Sequence, residues 1–202
     1  MRPTELDNKN FINDLKFSQN ITNALRIKKL GYRAPCFSLG REKLDCLIST
    51  DLFLYDSSMI EQKEHPLYTK LDLTGFRRIR DSVFKKDDFY ELEVSTYKFL
   101  NFNLPISGGG YLRIIPWPIY KFFLKLYLKK SRTYLFYIHP FELSNQRITL
   151  PNGTNLISKF RFCYNRKKTL KKIQKTINLL KELGYEFKTY TDLIDENSNN
   201  RC

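Results

Sequence analysis

A chain of 202 residues, 42% hydrophobic and 28% charged, is long enough to bury a sizeable core, which excludes a wholly disordered polymer. Its formal charge of +14 would by itself attract nucleic acid or an anionic membrane surface. A large share of the Lys and Arg falls in 161–181, however, where Lys167, Lys171 and Lys175 recur every fourth residue opposite Leu170, Ile173, Ile177 and Leu180; this is an amphipathic helix with a solvated basic face, and no specific nucleic-acid partner is expected.

In chain order, Phe11, Leu15, Ile21 and Leu25 predict a helix over 10–25, capped by Asn8 or Asn10 and leading into Gly31. Pro35 forbids a helix and makes 32–37 a short extended piece, with Gly31 read as a turn. A short helix over 41–48 and an aromatic extended segment over 51–58 follow. Residues 65–88 are polar and poorly periodic, with a hairpin or edge strand at 74–78. A strand over 90–96 precedes the loop 104–110 and an aromatic helix over about 119–128. The continuous apolar run 133–139 reads as a strand buried on both faces of a parallel sheet. Asn152-Gly153 marks a turn, 166–183 a long helix ended by Gly184, and 185–190 a last strand. Strands alternating with helices predict an α/β fold with a parallel sheet or an incomplete barrel, one domain over 1–195 with a polar tail over 196–202.

Cys36, Cys46, Cys163 and Cys202 form no CxxC pair and no zinc-type grouping, so reduced thiols and a cytoplasmic location are expected. No secretory signal opens the sequence, and the most apolar stretch, 114–128, carries Pro116, Pro118, Lys121 and Lys125 and is too short and charged for a membrane span. The 16 Phe and 13 Tyr fill cores first and stack on sugar faces second.

His139 is one of two histidines, the other being His65, and it ends the best predicted strand, where loops of an α/β barrel place catalytic groups. Structural packing is the competing fate of such an imidazole. Arg33, between Gly31 and Pro35, is a held guanidinium suited to orienting a carboxylate, or else a structural ion-pair member. The loop Ser107-Gly108-Gly109-Gly110-Tyr111 allows close backbone approach to a ligand, or is a turn; without GK[ST] it is no nucleotide phosphate site. Asp56 either lines a cleft or caps a turn, and Ser57 and Ser58 read as structural.

Five motifs occur in order: Gly-Tyr-Arg-Ala-Pro-Cys-Phe-Ser over 31–38, Leu-Tyr-Asp-Ser-Ser over 54–58, Glu-Val-Ser-Thr over 93–96, Leu-Pro-Ile-Ser-Gly-Gly-Gly-Tyr over 104–111, and Phe-Tyr-Ile-His-Pro-Phe-Glu over 136–142. In order and approximate spacing they resemble polysaccharide deacetylases, most of all the subgroup found with exopolysaccharide and exosortase-type gene clusters. The resemblance implies a NodB-homology domain, a distorted (β/α) barrel in which a divalent metal activates water to hydrolyse an N-acetyl group of a glycan. It implies Arg33 as the residue orienting the general base, His139 as the acid, and a sugar pocket bordered by 107–111 with Tyr111 and Trp117 as stacking surfaces.

The sequence departs from that pattern in one half of the site. Its two histidines lie 74 positions apart, so no HxxxH pair exists, and only 32 residues precede Arg33, too few for the family's early Asp-bearing strand. No tightly bound metal is expected from this chain. The implied protein is the C-terminal part of a deacetylase lacking the first strands, impaired alone and completed by a separately encoded N-terminal fragment. Two other readings remain: a non-catalytic glycan-binding module and a basic nucleic-acid-binding protein.

Overall fold

The structure, a computed structural model of the chain, describes residues 1–27, 30–61, 68–144, 146 and 149–199. They fall into two compact units, 1–104 and 105–202.

The first unit opens with helix α1 (Asn8–Ala24), whose N-cap Asp7 accepts a hydrogen bond from the Asn10 backbone N–H. Strand β1 (Leu30–Tyr32), helix α2 (Arg41–Ser49) and strand β2 (Phe53–Asp56) follow. A meander then runs through β3 (Arg77–Arg80), β4 (Val83–Lys86) and β5 (Phe89–Leu92). The sheet order is β1-β2-β5-β4-β3. β1, β2 and β5 are parallel neighbours, whereas β3 and β4 run antiparallel. Two-residue turns with Ser82 and Asp87 at positive φ make the meander, so its strands cannot be parallel. The sheet is therefore mixed, and it does not close into a barrel.

Phe11 and Leu15 of α1 pack with Leu44 and Leu47 of α2 against Phe53 and Phe89 of the sheet. The helical spacing was right for these two, but Ile21 and Leu25 are 51% and 66% exposed. Gly31 lies within β1 rather than in a turn: a Cβ there would sit 2.0 Å from the ring of Tyr55, its register partner on β2. Strands β6 (Thr96–Phe99) and β7 (Phe102–Pro105) form a separate hairpin.

The second unit is helical: α3 (Gly109–Ile114), α4 (Trp117–Leu128), α5 (Pro140–Leu143), α6 (Leu156–Cys163), α7 (Thr169–Glu182) and α8 (Tyr190–Asn199). The expected strand over 133–139 is an extended segment whose one described β-bridge is the parallel pairing of Tyr137 with Gly108. Its neighbour turns at once into α3, so no ladder grows. The expected strand over 185–190 is likewise absent; the chain there leads into α8, which continues to Asn199.

In α7 the buried face is Thr169, Lys172, Ile173, Thr176, Leu179 and Leu180, with Leu170 55% exposed. A lysine stands on that face because the Lys172 ammonium donates to the carbonyls of Leu112, Arg113 and Ile115 at 2.7–2.9 Å. These are the orphan acceptors at the end of α3. Burial, with Lys168 and Lys175 nearby, lowers the Lys172 pKa. Among the described residues, no helix is long and apolar enough to cross a membrane. Lys172→Met, which keeps the aliphatic stem and removes the donor, is expected to destabilise the chain by about 3 kcal/mol in urea unfolding, because the Leu112 and Ile115 carbonyls lose the ammonium while that of Arg113 keeps only the Asn165 amide.

Candidate functional site

Open α/β sheets place ligands beyond the C-terminal ends of their parallel strands. In the first unit these ends are residues 32–34, 56–60 and 91–94, and they are tied together by side chains. The Ser57 hydroxyl donates to the Leu92 carbonyl at 2.7 Å and accepts from the Arg33 guanidinium at 2.7 Å, while Arg33 Nε donates to the Ser57 carbonyl at 2.8 Å. Arg33 also lies 5.8 Å from the Phe37 ring centroid. Cys36 and Phe37 adopt left-handed conformations with φ of 54° and 51°, which folds the chain after Pro35 back toward the arginine. Such backbone is uncommon for bulky residues and needs local contacts to hold it. Arg33 is thus a positioned group.

Behind it lies a buried carboxyl pair. Asp56 and Glu91 are register partners on β2 and β5, and neither is exposed to solvent. Asp56 accepts from the Ser58 hydroxyl at 2.7 Å and the Ser58 N–H at 3.0 Å, and the Ser58 hydroxyl in turn accepts from the Ala34 N–H at 2.8 Å. Glu91 Oε1 accepts from the Met59 N–H at 2.9 Å. Glu91 Oε2 meets no donor, yet the Glu91 carboxyl is within hydrogen-bonding reach of the Asp56 carboxyl. Two carboxylates so placed repel, whereas one shared proton makes the contact an O–H···O bond. Burial raises both pKa values, and the charge of Asp56 raises Glu91 further. Nearby, burial and the charge of Glu61 push Glu93 up to about 7.

The second unit holds the other predicted residues. His139 is exposed, its ring stacked on Phe141 and edge-on to Tyr137, each at 5.7 Å. It is the N-cap residue of α5, and Glu142 reaches back to accept its N–H at 3.0 Å. Glu142 is buried, with Oε1 3.6 Å from Arg113 Nε. Arg113 NH1 donates to the Phe162 carbonyl at 3.0 Å. Burial lowers the Arg113 pKa while Glu142 opposes the shift.

The Gly-rich loop is packed on the same carboxylate. A Cβ on Gly109 would lie 2.1 Å from Glu142 Oε2, and one on Gly108 2.8 Å from the Tyr137 hydroxyl. Ser107, Gly108 and Gly109 are buried, while Gly110 and Tyr111 are half-buried. Trp117 is half-buried, stacked on Tyr120 at 6.1 Å with the Lys175 ammonium 5.6 Å from its ring.

Of the predicted residues, the structure therefore brings Arg33 and Asp56 into one network in the first unit, and the Gly loop and His139 into another in the second. Glu91, Arg113 and Glu142 were missed. A lone acid in the apolar strand Phe-Tyr-Glu-Leu was the available signal for Glu91, and an acid three residues after a cap position that for Glu142. His65 lies outside the described residues. Among the described residues, no three His, Cys, Asp or Glu side chains group so as to hold a metal ion.

The family model described as "Domain of unknown function (DUF3473)" matches residues 58–194, more than half of the chain. The chain belongs to this family. No curated protein and no solved structure gives a match. The matched region contains Glu91, the Gly loop, His139 and Glu142, whereas Arg33 and Asp56 precede it.

Because the folded-state pKa of Glu91 is raised, the stability it confers is complete below its ordinary value of 4.5 and is lost as pH rises through the folded-state value. Glu93 titrates in the same direction. Glu91→Gln, which donates an N–H to Asp56 at every pH, is expected to flatten the fall in urea midpoint toward alkaline pH relative to the parent chain; an unchanged slope would contradict a shared proton. Gly109→Ala is expected to lower stability by about 2 kcal/mol and to alter near-UV circular dichroism, because the Glu142 carboxylate must move from its buried place.

Proposed function

We propose that this chain is the C-terminal part of a carbohydrate N-deacetylase whose complete form hydrolyses N-acetyl groups of a glycan. The observation that carries the reading is Arg33: a guanidinium fixed by two bonds to Ser57 at the C-terminal ends of parallel strands, as a residue that orients a carboxylate base must be. In this reading the parallel run β1-β2-β5 is part of an incomplete, distorted barrel. His139, exposed at the start of α5 and braced by Tyr137 and Phe141, is the proton donor to the departing amine. Tyr111 and Trp117 are the candidate sugar-stacking rings.

Among the described residues no three His, Cys, Asp or Glu side chains group to hold a metal ion; in this reading the divalent metal of such an enzyme is held by a segment outside residues 1–202. The chain's own contribution is then positioning and proton transfer, and alone it is impaired. Asp56 is placed differently from a cleft-lining acid: it is fully buried and supports the strand ends that carry Arg33.

The test is amine release from N-acetylated oligosaccharides with added zinc, by the chain alone and mixed with a fragment carrying an early Asp strand and an HxxxH pair. Release is expected only from the mixture and is expected to fall about 100-fold with either Arg33→Ala or His139→Ala. Chelator-insensitive release by the chain alone would overturn the split-site reading, and no release from any mixture would overturn the deacetylase reading.

A further inference from the structure

We infer that the second unit carries a binding groove for an acidic glycan, one bearing carboxylate or phosphate groups. The positive charge of the protein is segregated: residues 105–202 contain 18 Lys and Arg against six Asp and Glu, whereas 1–104 contain 17 against 15. Within the second unit an open groove of about 1060 Å³ is lined by Lys159, Arg166, Lys167 and Lys168 and, among the described residues, by no carboxylate. One sign of charge along a concave wall concentrates the opposite sign from solution.

Arg166 builds the wall. Its guanidinium donates to the carbonyls of Phe141 at 2.8 and 3.1 Å, Ser144 at 2.7 Å and Gln146 at 2.8 Å. These bonds fix the chain following α5 and leave the positive charge uncompensated by any acid of the lining. Asn165, in a left-handed conformation at φ 56°, turns the chain from α6 into the single 3-10 turn that carries Arg166, Lys167 and Lys168. Lys159 faces the same groove from α6.

The lining decides between polyanions. No aromatic ring among the described residues borders the groove, so unpaired bases would find no stacking platform. The hydroxyl of Ser144 and the amide of Gln146 offer hydrogen bonds suited to sugar hydroxyls instead. The inference rests on the proposed glycan function only for the nature of the polymer.

The test is binding of a labelled oligogalacturonate hexamer to the full chain, with chitohexaose as a neutral glycan, single-stranded DNA as a rival polyanion and inorganic phosphate as a competitor. The hexamer is expected to bind and to weaken about tenfold between about 50 and about 200 mM salt. Lys159→Ala, Lys167→Ala and Lys168→Ala together are expected to weaken it about tenfold or more, since three exposed charges are removed. The matched control Lys121→Ala and Lys125→Ala on α4 with Lys129→Ala at its C-cap is expected to leave affinity within about twofold. Chitohexaose binding as tightly as the hexamer, equal loss in both triple variants, tighter binding of DNA, or displacement by phosphate at equal charge would each overturn the proposal. Hexamer binding that survives a failed amine-release assay would retain the groove while removing only the catalytic reading.

Discussion

The contact between the Asp56 and Glu91 carboxyls lies where the parallel half of the sheet meets its antiparallel half. Two acids cannot both be charged in a fully buried, adjacent position, because desolvation and mutual repulsion add. Burial and repulsion accordingly raise both pKa values and favour a protonated carboxyl at this contact between neighbouring strands. From it the hydrogen-bond chain runs outward through Ser58 to Ala34 and through Met59 to Val94, whose N–H donates to the Met59 carbonyl at 2.8 Å. The ends of β1, β2 and β5 are held in step by these side chains beyond the last residues of the ladder. Arg33 inherits its fixed position from that arrangement, since Ser57, its anchor, is itself tied to Leu92.

The second unit meets the same problem with opposite charges. Glu142 is buried, and its two oxygens face the Arg113 guanidinium and the His139 N–H. Breaking such a pair strands a charge in a dry site, so the geometry around it is narrowly constrained. The Gly loop shows that constraint. Gly109 admits the carboxylate against the backbone, and the Tyr137 bridge holds the loop in place. A glycine run that would read as mobile is in this chain a packed surface, with its open end at Gly110 and Tyr111.

Membership of the DUF3473 family rests on residues 58–194, and the networks of both units extend into that region. The proposed chemistry and the proposed glycan groove draw on different features. The first depends on Arg33 and His139 being held, the second on an unbalanced cationic lining. Arg166 links the groove to the turn after His139, because its guanidinium binds the Phe141 carbonyl. A polymer lying in the groove would thus bear on the chain segment that presents the imidazole.

Periodicity and turn chemistry were enough to locate α1, α2, α4 and α7 and the strands β2 and β5. Phe11 and Leu15, the Arg41 and Trp117 helices and the long helix ended by Gly184 are local patterns, and local backbone energetics acts on them directly. Tertiary structure alone decided which apolar segments found partners. The run 133–139 has strand-like composition yet no ladder, and 185–190 has none either, because a strand exists only where a second chain segment stays alongside it. The same holds at the candidate sites. Arg33 and His139 stand out in the sequence by residue type and context, but Glu91, Glu142 and Lys172 became meaningful only when folding set them against Asp56, Arg113 and the end of α3. Burial makes an ionisable group's partners decisive, and those partners lie up to 60 residues away in the chain, as Lys172 and Leu112 do.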